Sequence, residues 1–256
     1  MGLIKDYTYK VLNWFLFIFI VLGSSLYTEF IFFILKKIGF AVTNLETKLF
    51  ISIPISLSFM VIIYFIFRKS FNENIKSYGK DLKKYFFWTL KFYILGLAIM
   101  FISNILIYIF VGSNATNEIL VQGYLKKYPV YMAFSSIIYS PFIEEVAFRK
   151  IIRNVIKNKY VYILFSGLLF GFFHCVAGLN NYLELLYIIP YGTMGVIFAY
   201  FYYKTNNIFI PITFHMFHNL VMFIISVCWW RKYEKNEGWK VKKKRKKGKK
   251  SKEKGK

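Results

Sequence analysis

Acidic residues, cysteine and histidine are scarce in this 256-residue chain: 12 Asp+Glu stand against 35 Lys+Arg, with 2 cysteines and 3 histidines. Both cysteines, Cys175 and Cys228, lie inside apolar runs, which excludes a disulfide framework or a CxxC zinc site and reads them as packing residues. HExxH is missing, so that helical zinc-protease signature is excluded too. Position 6 holds Asp6 where a myristoylation signal wants Ser or Thr, and no CaaX box ends at Lys256, so the chain is not expected to carry a lipid. Charged residues make up 18% of the chain, against 57% hydrophobic and 22% aromatic. Soluble domains average about 45–50% apolar residues, so an ordinary soluble globule is excluded.

The net charge of +23 first suggests nucleic acid, yet 15 cations and 3 acids lie after Trp230. The remaining cations sit in short clusters between long apolar runs, as in membrane-protein loops, and no nucleic-acid partner is expected. A helix needs about 20 apolar residues to cross a bilayer. Candidate spans fall near 11–35, 49–67, 86–112, 130–156, 160–178, 183–203 and 207–230. The expectation is an all-α, polytopic transmembrane helix bundle of about seven spans, with eight as the alternative. Residues 11–35 read as an uncleaved signal anchor, longer than a signal-peptide core. Residues 69–85, with Lys76, Lys80, Lys83 and Lys84, read as a helix lying on the membrane surface. The membrane-embedded domain is placed at 1–232 with its motif core at about 140–222, followed by a disordered polybasic tail over 233–256. The location expected is a multi-pass protein of a bacterial cell membrane.

Ionisable side chains are costly in hydrocarbon, so each one within a span is a functional candidate. They are Glu144, Glu145 and Arg149 in the fourth span, His174 in the fifth, and His215, His218 and Asn219 in the seventh; Glu29, Lys91 and Glu184 are weaker cases that read as packing, snorkelling or interfacial residues. Residues four apart share a helix face, so Glu145 reaches Arg149, while Glu144 turns to another side without a cation on its own helix. Ser140-Pro141 adds a kink one turn earlier. Counting at 1.5 Å per residue from the short loops puts Glu144, His174 and Asn219 at one depth, with His215 one turn away. Four polar groups from three helices are thereby expected around one buried cavity.

At these residues the chain resembles the CPBP (CAAX protease and bacteriocin-processing, or Abi) family of intramembrane endopeptidases, which includes the type II CAAX prenyl endopeptidases. Glu144-Glu145-Val146-Ala147-Phe148-Arg149 matches EExxxR, Phe170 to His174 matches FxxxH, and His215 to Asn219 matches HxxxN, in the family's order and each in its own span. The resemblance implies that Glu144 and His174 position and activate a water, that His215 and Asn219 stabilise the oxyanion, and that Glu145 and Arg149 brace the site. Phe170 is expected to pack under the histidine. His218 is extra to the motif and reads as a rim residue or an interhelical hydrogen bond. The prenyl endopeptidases have eight spans where seven are counted here.

The bland readings stand beside these. Glu145 with Arg149 makes a buried structural ion pair, and His174, His215 and Asn219 serve as polar glue between helices. Glu144, His174 and His215 could also hold zinc with a position left for water, but nothing in the spacing demands it and metal-independent chemistry is favoured. The expected function is hydrolysis of a peptide bond in a hydrophobic or prenylated peptide that enters from the bilayer. The alternatives are a non-catalytic protein of the same fold, such as a bacteriocin self-immunity or scaffold protein, and an ion or proton-coupled transporter. Loop charges place the N-terminus inside, with 14 cations on that side and 5 on the other, but seven spans would then export the basic tail. If cytoplasmic, the tail would bind anionic lipid.

Overall fold

The computed structural model describes residues 2–40 and 42–253, with side chains described for 6–40 and 42–232. The tail expected to be disordered is followed here only as the backbone of the last helix, its side chains lying outside the described residues. Among the described residues there is no strand, and the all-α reading holds.

The chain begins with helix α1 (Gly2–Lys37), an apolar run that ends at Lys36-Lys37. Gly39 terminates it with φ at 94°, a left-handed conformation that glycine adopts without strain. Helix α2 (Leu45–Val111) opens on Asn44, whose side chain accepts from the Glu46 amide, and closes on Gly112 at φ 80°. The break expected at Arg68-Lys69 does not occur, because residues 68–85 contain no proline and α2 runs on for 67 residues. A straight helix of that length would extend about 100 Å, several times the hydrocarbon thickness of a bilayer. Its contacts show instead two limbs. Near its start Lys48 pairs with Glu29 late in α1 at 2.9 Å, and near its end Ile107 packs with Cys175 and Tyr187. Between them, Asn74, Ser77 and Asp81 bond Asn207 at the opposite face. The two expected spans and the connecting basic segment are therefore present, within one helix.

Among the described residues five helical segments are long and apolar enough to cross a membrane: Asp6–Lys37, Leu45–Val111, Lys159–Gly178, Tyr182–Thr205 and Phe209–Lys232. The second span expected within residues 49–112 lies in the second limb of α2, and the expected fourth span is occupied by a run of short helices over 129–155. Outward-facing Phe15, Phe65, Ile109 and Phe110, all more than half exposed, form part of an apolar belt suited to lipid.

Two features depart from expectation and both shape the site. The stretch after Gly112, expected as loop, folds as helix α3 (Thr116–Lys127). The run 129–155 is not a uniform α-helix. It consists of α4 (Pro129–Phe134), a π-helical turn over Ser135–Tyr139, α5 (Ser140–Glu145), a second π-helical turn over Val146–Ile151, and α6 (Ile152–Val155).

The remaining helices are α7 (Lys159–Cys175), α8 (Ile188–Thr205) and α9 (Phe209–Glu253), with 3-10 turns at Val176–Gly178 and Tyr182–Tyr187. Helices α7 and α8 touch backbone to backbone. A Cβ on Gly167 would lie 2.6 Å from the Val196 amide nitrogen, and one on Gly171 would lie 2.8 Å from the Gly192 nitrogen. Gly167 and Gly171 are four apart, the small-residue spacing that lets membrane helices approach closely. This contact fixes the helix that carries Phe170 and His174.

Candidate active site

The site is built on the α5 turn, and proline explains the wide turn that precedes it. In an α-helix the Ser136 carbonyl would accept from the Ser140 amide, but that amide donates to Ser135 instead. In the π register its donor would be residue 141, which is Pro141 and has no N–H. The orphaned carbonyl is taken by Asn219, whose Nδ2 donates to it at 2.7 Å. One amide hydrogen of Asn219 thus splices α9 onto the widened turn. π turns within α-helices are frequent at functional sites.

On the other side of α5 the two glutamates diverge as the helical geometry requires. Glu145 is fully buried, with Oε2 2.9 Å from Nε of the equally buried Arg149. That contact is an ion pair without hydrogen-bond alignment. The guanidinium stacks over the Phe170 ring at 4.6 Å and reaches Ser166 Oγ at 3.5 Å. Glu145 Oε1 accepts from His215 Nδ1 at 2.9 Å. This bond holds His215 as the Nδ1–H tautomer and turns Nε2 toward Glu144, whose Oε2 lies 3.7 Å away. The side chains form one chain of charge, Arg149 to Glu145 to His215 to Glu144. Its buried end is neutralised, and its open end, Glu144, is 23% exposed.

His174 donates Nδ1–H to the Phe170 carbonyl at 3.0 Å, so its Nε2 carries the free lone pair. Its ring lies between Phe170 and Tyr191, with centroids at 4.3 and 4.7 Å. Phe170 packs under His174 and also meets Arg149 and His215. Glu144, His174, His215 and Asn219 all line one cavity of about 250 Å³. His215, expected one turn away from the others, is in fact the residue that joins the two glutamates.

Several residues around this cavity escaped the sequence reading. Asn117, Glu118 and Gln122 of α3 line it, and Gln122 Nε2 donates to Glu118 at 2.8 Å and to Ser226 at 2.7 Å. The start of α3 is held by Glu184, which accepts from the Thr116 amide at 2.8 Å and from its hydroxyl at 3.1 Å. Glu184, read from sequence as packing or interfacial, is a buried cap on this covering helix. A second cavity of about 250 Å³ lies toward α1, lined by Val21, Ile143, Ala147, Phe148 and Phe173. Glu144 and His174 border both cavities. Glu29 pairs with Lys48 and is exposed. Cys175 is buried and Cys228 exposed, both free thiols.

A metal ion finds no donor set here. Among the described residues no group of three or more His, Cys, Asp or Glu side chains is placed to hold one. Glu144, His174 and His215 line one cavity, with Nδ1 of each histidine bonded to the Phe170 carbonyl or to Glu145.

Comparison with known proteins gives a consistent result. Residues 126–221 match the family model described as type II CAAX prenyl endopeptidase Rce1-like. YdiL of Bacillus subtilis (strain 168), by name a candidate membrane peptidase, is 26% identical over 174 residues, covering 66% of this chain and 68% of that protein. MroQ of Staphylococcus aureus (strain USA300), named a membrane-embedded CAAX protease, is 33% identical over 158 residues, 55% of this chain and 58% of its own length. No solved structure gives a significant match. The matched segment contains all three motifs and every residue of the Arg149 to Glu144 chain, and over that segment this multi-pass membrane peptidase is similar to the type II CAAX prenyl endopeptidases.

Proposed function

We propose that the protein is an intramembrane endopeptidase in which Glu144 activates a water against a peptide bond of a hydrophobic or prenylated substrate. The observation that carries this is the placement of His215 between two carboxylates, tautomer fixed by Glu145 and Nε2 facing Glu144, at the wall of a cavity shared with His174 and Asn219. Glu144 takes a proton from the water as the hydroxide oxygen bonds the scissile carbonyl carbon. The proton then passes to the leaving nitrogen as the C–N bond breaks, giving one carboxylate and one amine. His174 orients the water by accepting its other hydrogen at Nε2, and the remaining amide hydrogen of Asn219 is available to the carbonyl oxygen. Arg149 pairs with Glu145, and Glu145 holds His215 in place.

Two cavities that meet at Glu144 and His174 support this substrate class. Each combines apolar walls with amide and hydroxyl groups, Val21, Ile143, Phe148 and Phe173 beside Ser24, Asn117 and Tyr139 in the one toward α1, and Met100, Leu125 and Phe198 beside Asn117, Gln122 and Ser226 in the other, which suits an apolar side chain next to peptide backbone. The test compares peptide termini across the membrane proteome of cells making the wild-type protein or Glu144→Gln at equal levels. Termini present only with wild type are expected, C-terminal to apolar or lipid-bearing residues. Identical termini in both would overturn the assignment.

A further inference from the structure

His218 belongs to none of the matched motifs, yet it lines the same cavity as Glu144 and His174. Its Nδ1 lies 3.3 Å from the hydroxyl of Tyr93, on the second limb of α2. Tyr93 is 3% exposed, and among the described residues its hydroxyl bonds His218 alone. If that hydroxyl accepted from an Nδ1–H, its own hydrogen would be buried without a partner, an arrangement proteins avoid. Donation from the tyrosine to Nδ1 satisfies both groups and leaves the ring hydrogen on Nε2. His218 therefore has the tautomer opposite to that of His174 and His215, whose hydrogens sit on Nδ1 and point away from the cavity, at Phe170 and Glu145.

This difference matters because the cavity's other side-chain donors, among them Asn117, Tyr191, Gln122 and Asn219, are neutral amides and hydroxyls. No Lys or Arg lines the cavity, Asn219 spends one amide hydrogen on Ser136, and Gln122 is held by Glu118 and Ser226. A carbonyl oxygen that gains negative charge beside Glu144 needs neutral donors fixed in advance. We propose that His218, held as the Nε2–H tautomer by Tyr93, donates that hydrogen to the substrate's carbonyl oxygen and stabilises the oxyanion, with Tyr93 as its positioning residue. The proposal rests on the peptidase reading for its substrate, but the tautomer is a property of the protein itself.

Two measurements separate the proposal from that reading. In full-length protein with 15N-labelled histidine in lipid nanodiscs, three rings are expected, two with Nδ1–H and one with Nε2–H. The Nε2–H signal should vanish in His218→Gln and lose its fixed tautomer in Tyr93→Phe. An Nδ1–H ring at His218 overturns the proposal whatever the activity. The second measurement uses a quenched fluorescent peptide carrying a cleavage site found by the terminus comparison. His218→Ala should lower kcat by about 10²–10³ with little change in KM, the loss typical of a missing oxyanion donor. His218→Gln, which keeps an N–H donor, should recover a large part of it, and Tyr93→Phe should fall between. Equal rates for wild type, His218→Ala and Tyr93→Phe would reduce the pair to a strut between α2 and α9 and overturn the proposal. If no Glu144-dependent cleavage exists, the peptidase reading fails and the histidine spectrum still decides the tautomer.

Discussion

Arg149 and Glu145 are both excluded from solvent, so each depends on the other for the charge it carries. Arg149→Ala would leave Glu145 buried against His215 with no cation, and breaking such a pair typically costs about 3–5 kcal/mol. A clear fall in thermal midpoint of the purified protein in detergent is expected, and an unchanged midpoint would show that the pair does not hold the fold. Glu144→Gln should behave in the opposite way, because that side chain is 23% exposed and no cation depends on it. Its midpoint should stay close to wild type while cleavage falls by about 10²–10⁴, the usual effect of losing an oriented base. Spacing made the first pair legible, since residues four apart share a helix face. The role of His215 was not legible: its contacts with Glu144 and Glu145 join residues about 70 positions apart, and depth counting placed it a turn too far.

At the scale of helices, the widened turns around α5 tie the site to α9. The Ser136 carbonyl couples Pro141 to Asn219, two residues far apart in sequence. Asn219→Leu should orphan that carbonyl and cost about 1–3 kcal/mol. Pro141→Ala restores an N–H in the π register, so the double variant Pro141→Ala/Asn219→Leu should regain part of the loss. A double-mutant cycle on thermal or denaturant unfolding measures the coupling, and strictly additive effects would refute the splice. Apolar run lengths made the long helices readable, and a proline before the glutamates suggested a kink. Neither could show that the kink is a pair of π turns, because that depends on which carbonyl finds a donor from another helix. Helix α3 was missed for a related reason. Its 12 residues are as polar as a loop, and its start is capped by Glu184, 68 positions away. The Gly167 and Gly171 pair was open to reading as a small-residue motif and passed unread. Gly167→Leu should separate α7 from α8, lowering the folded yield and displacing His174 from the cavity, whereas substitution at Gly79, which has open space around it, should be tolerated.

Over the whole molecule the contacts sort the loops onto two faces, and this bears on orientation. One face gathers the start of α1, where Lys157 lies over Tyr9, with Asn74 to Asp81 against Asn207, and Arg153 and Lys159 over Tyr203. The other gathers the end of α1, the Gly112 turn and Glu184 with Thr116. Of the cations assigned from sequence to the N-terminal side, Arg153, Lys157 and Lys159 make contacts on the first face while Arg149 is buried at the site, and Lys48, assigned to the other side, lies on the second, so the positive-inside rule predicts the first face in the cytoplasm. A protein with Cys228 and Cys175 replaced by serine and alanine, and a single cysteine returned at an exposed position of either face, tests this directly. In intact cells a membrane-impermeant maleimide should label Asn114→Cys and leave Lys80→Cys unlabelled until the membrane is opened. The reverse pattern would invert the assignment. The same reagent at Ser251→Cys then decides the fate of the basic tail. Seven crossings with the N-terminus inside put the tail outside, against the charge rule, so labelling beside Asn114→Cys supports an odd number of crossings. Protection beside Lys80→Cys would require an even number between positions 80 and 251 and would bring the tail's cations to the anionic leaflet, where each contributes about 1 kcal/mol of attraction that salt weakens.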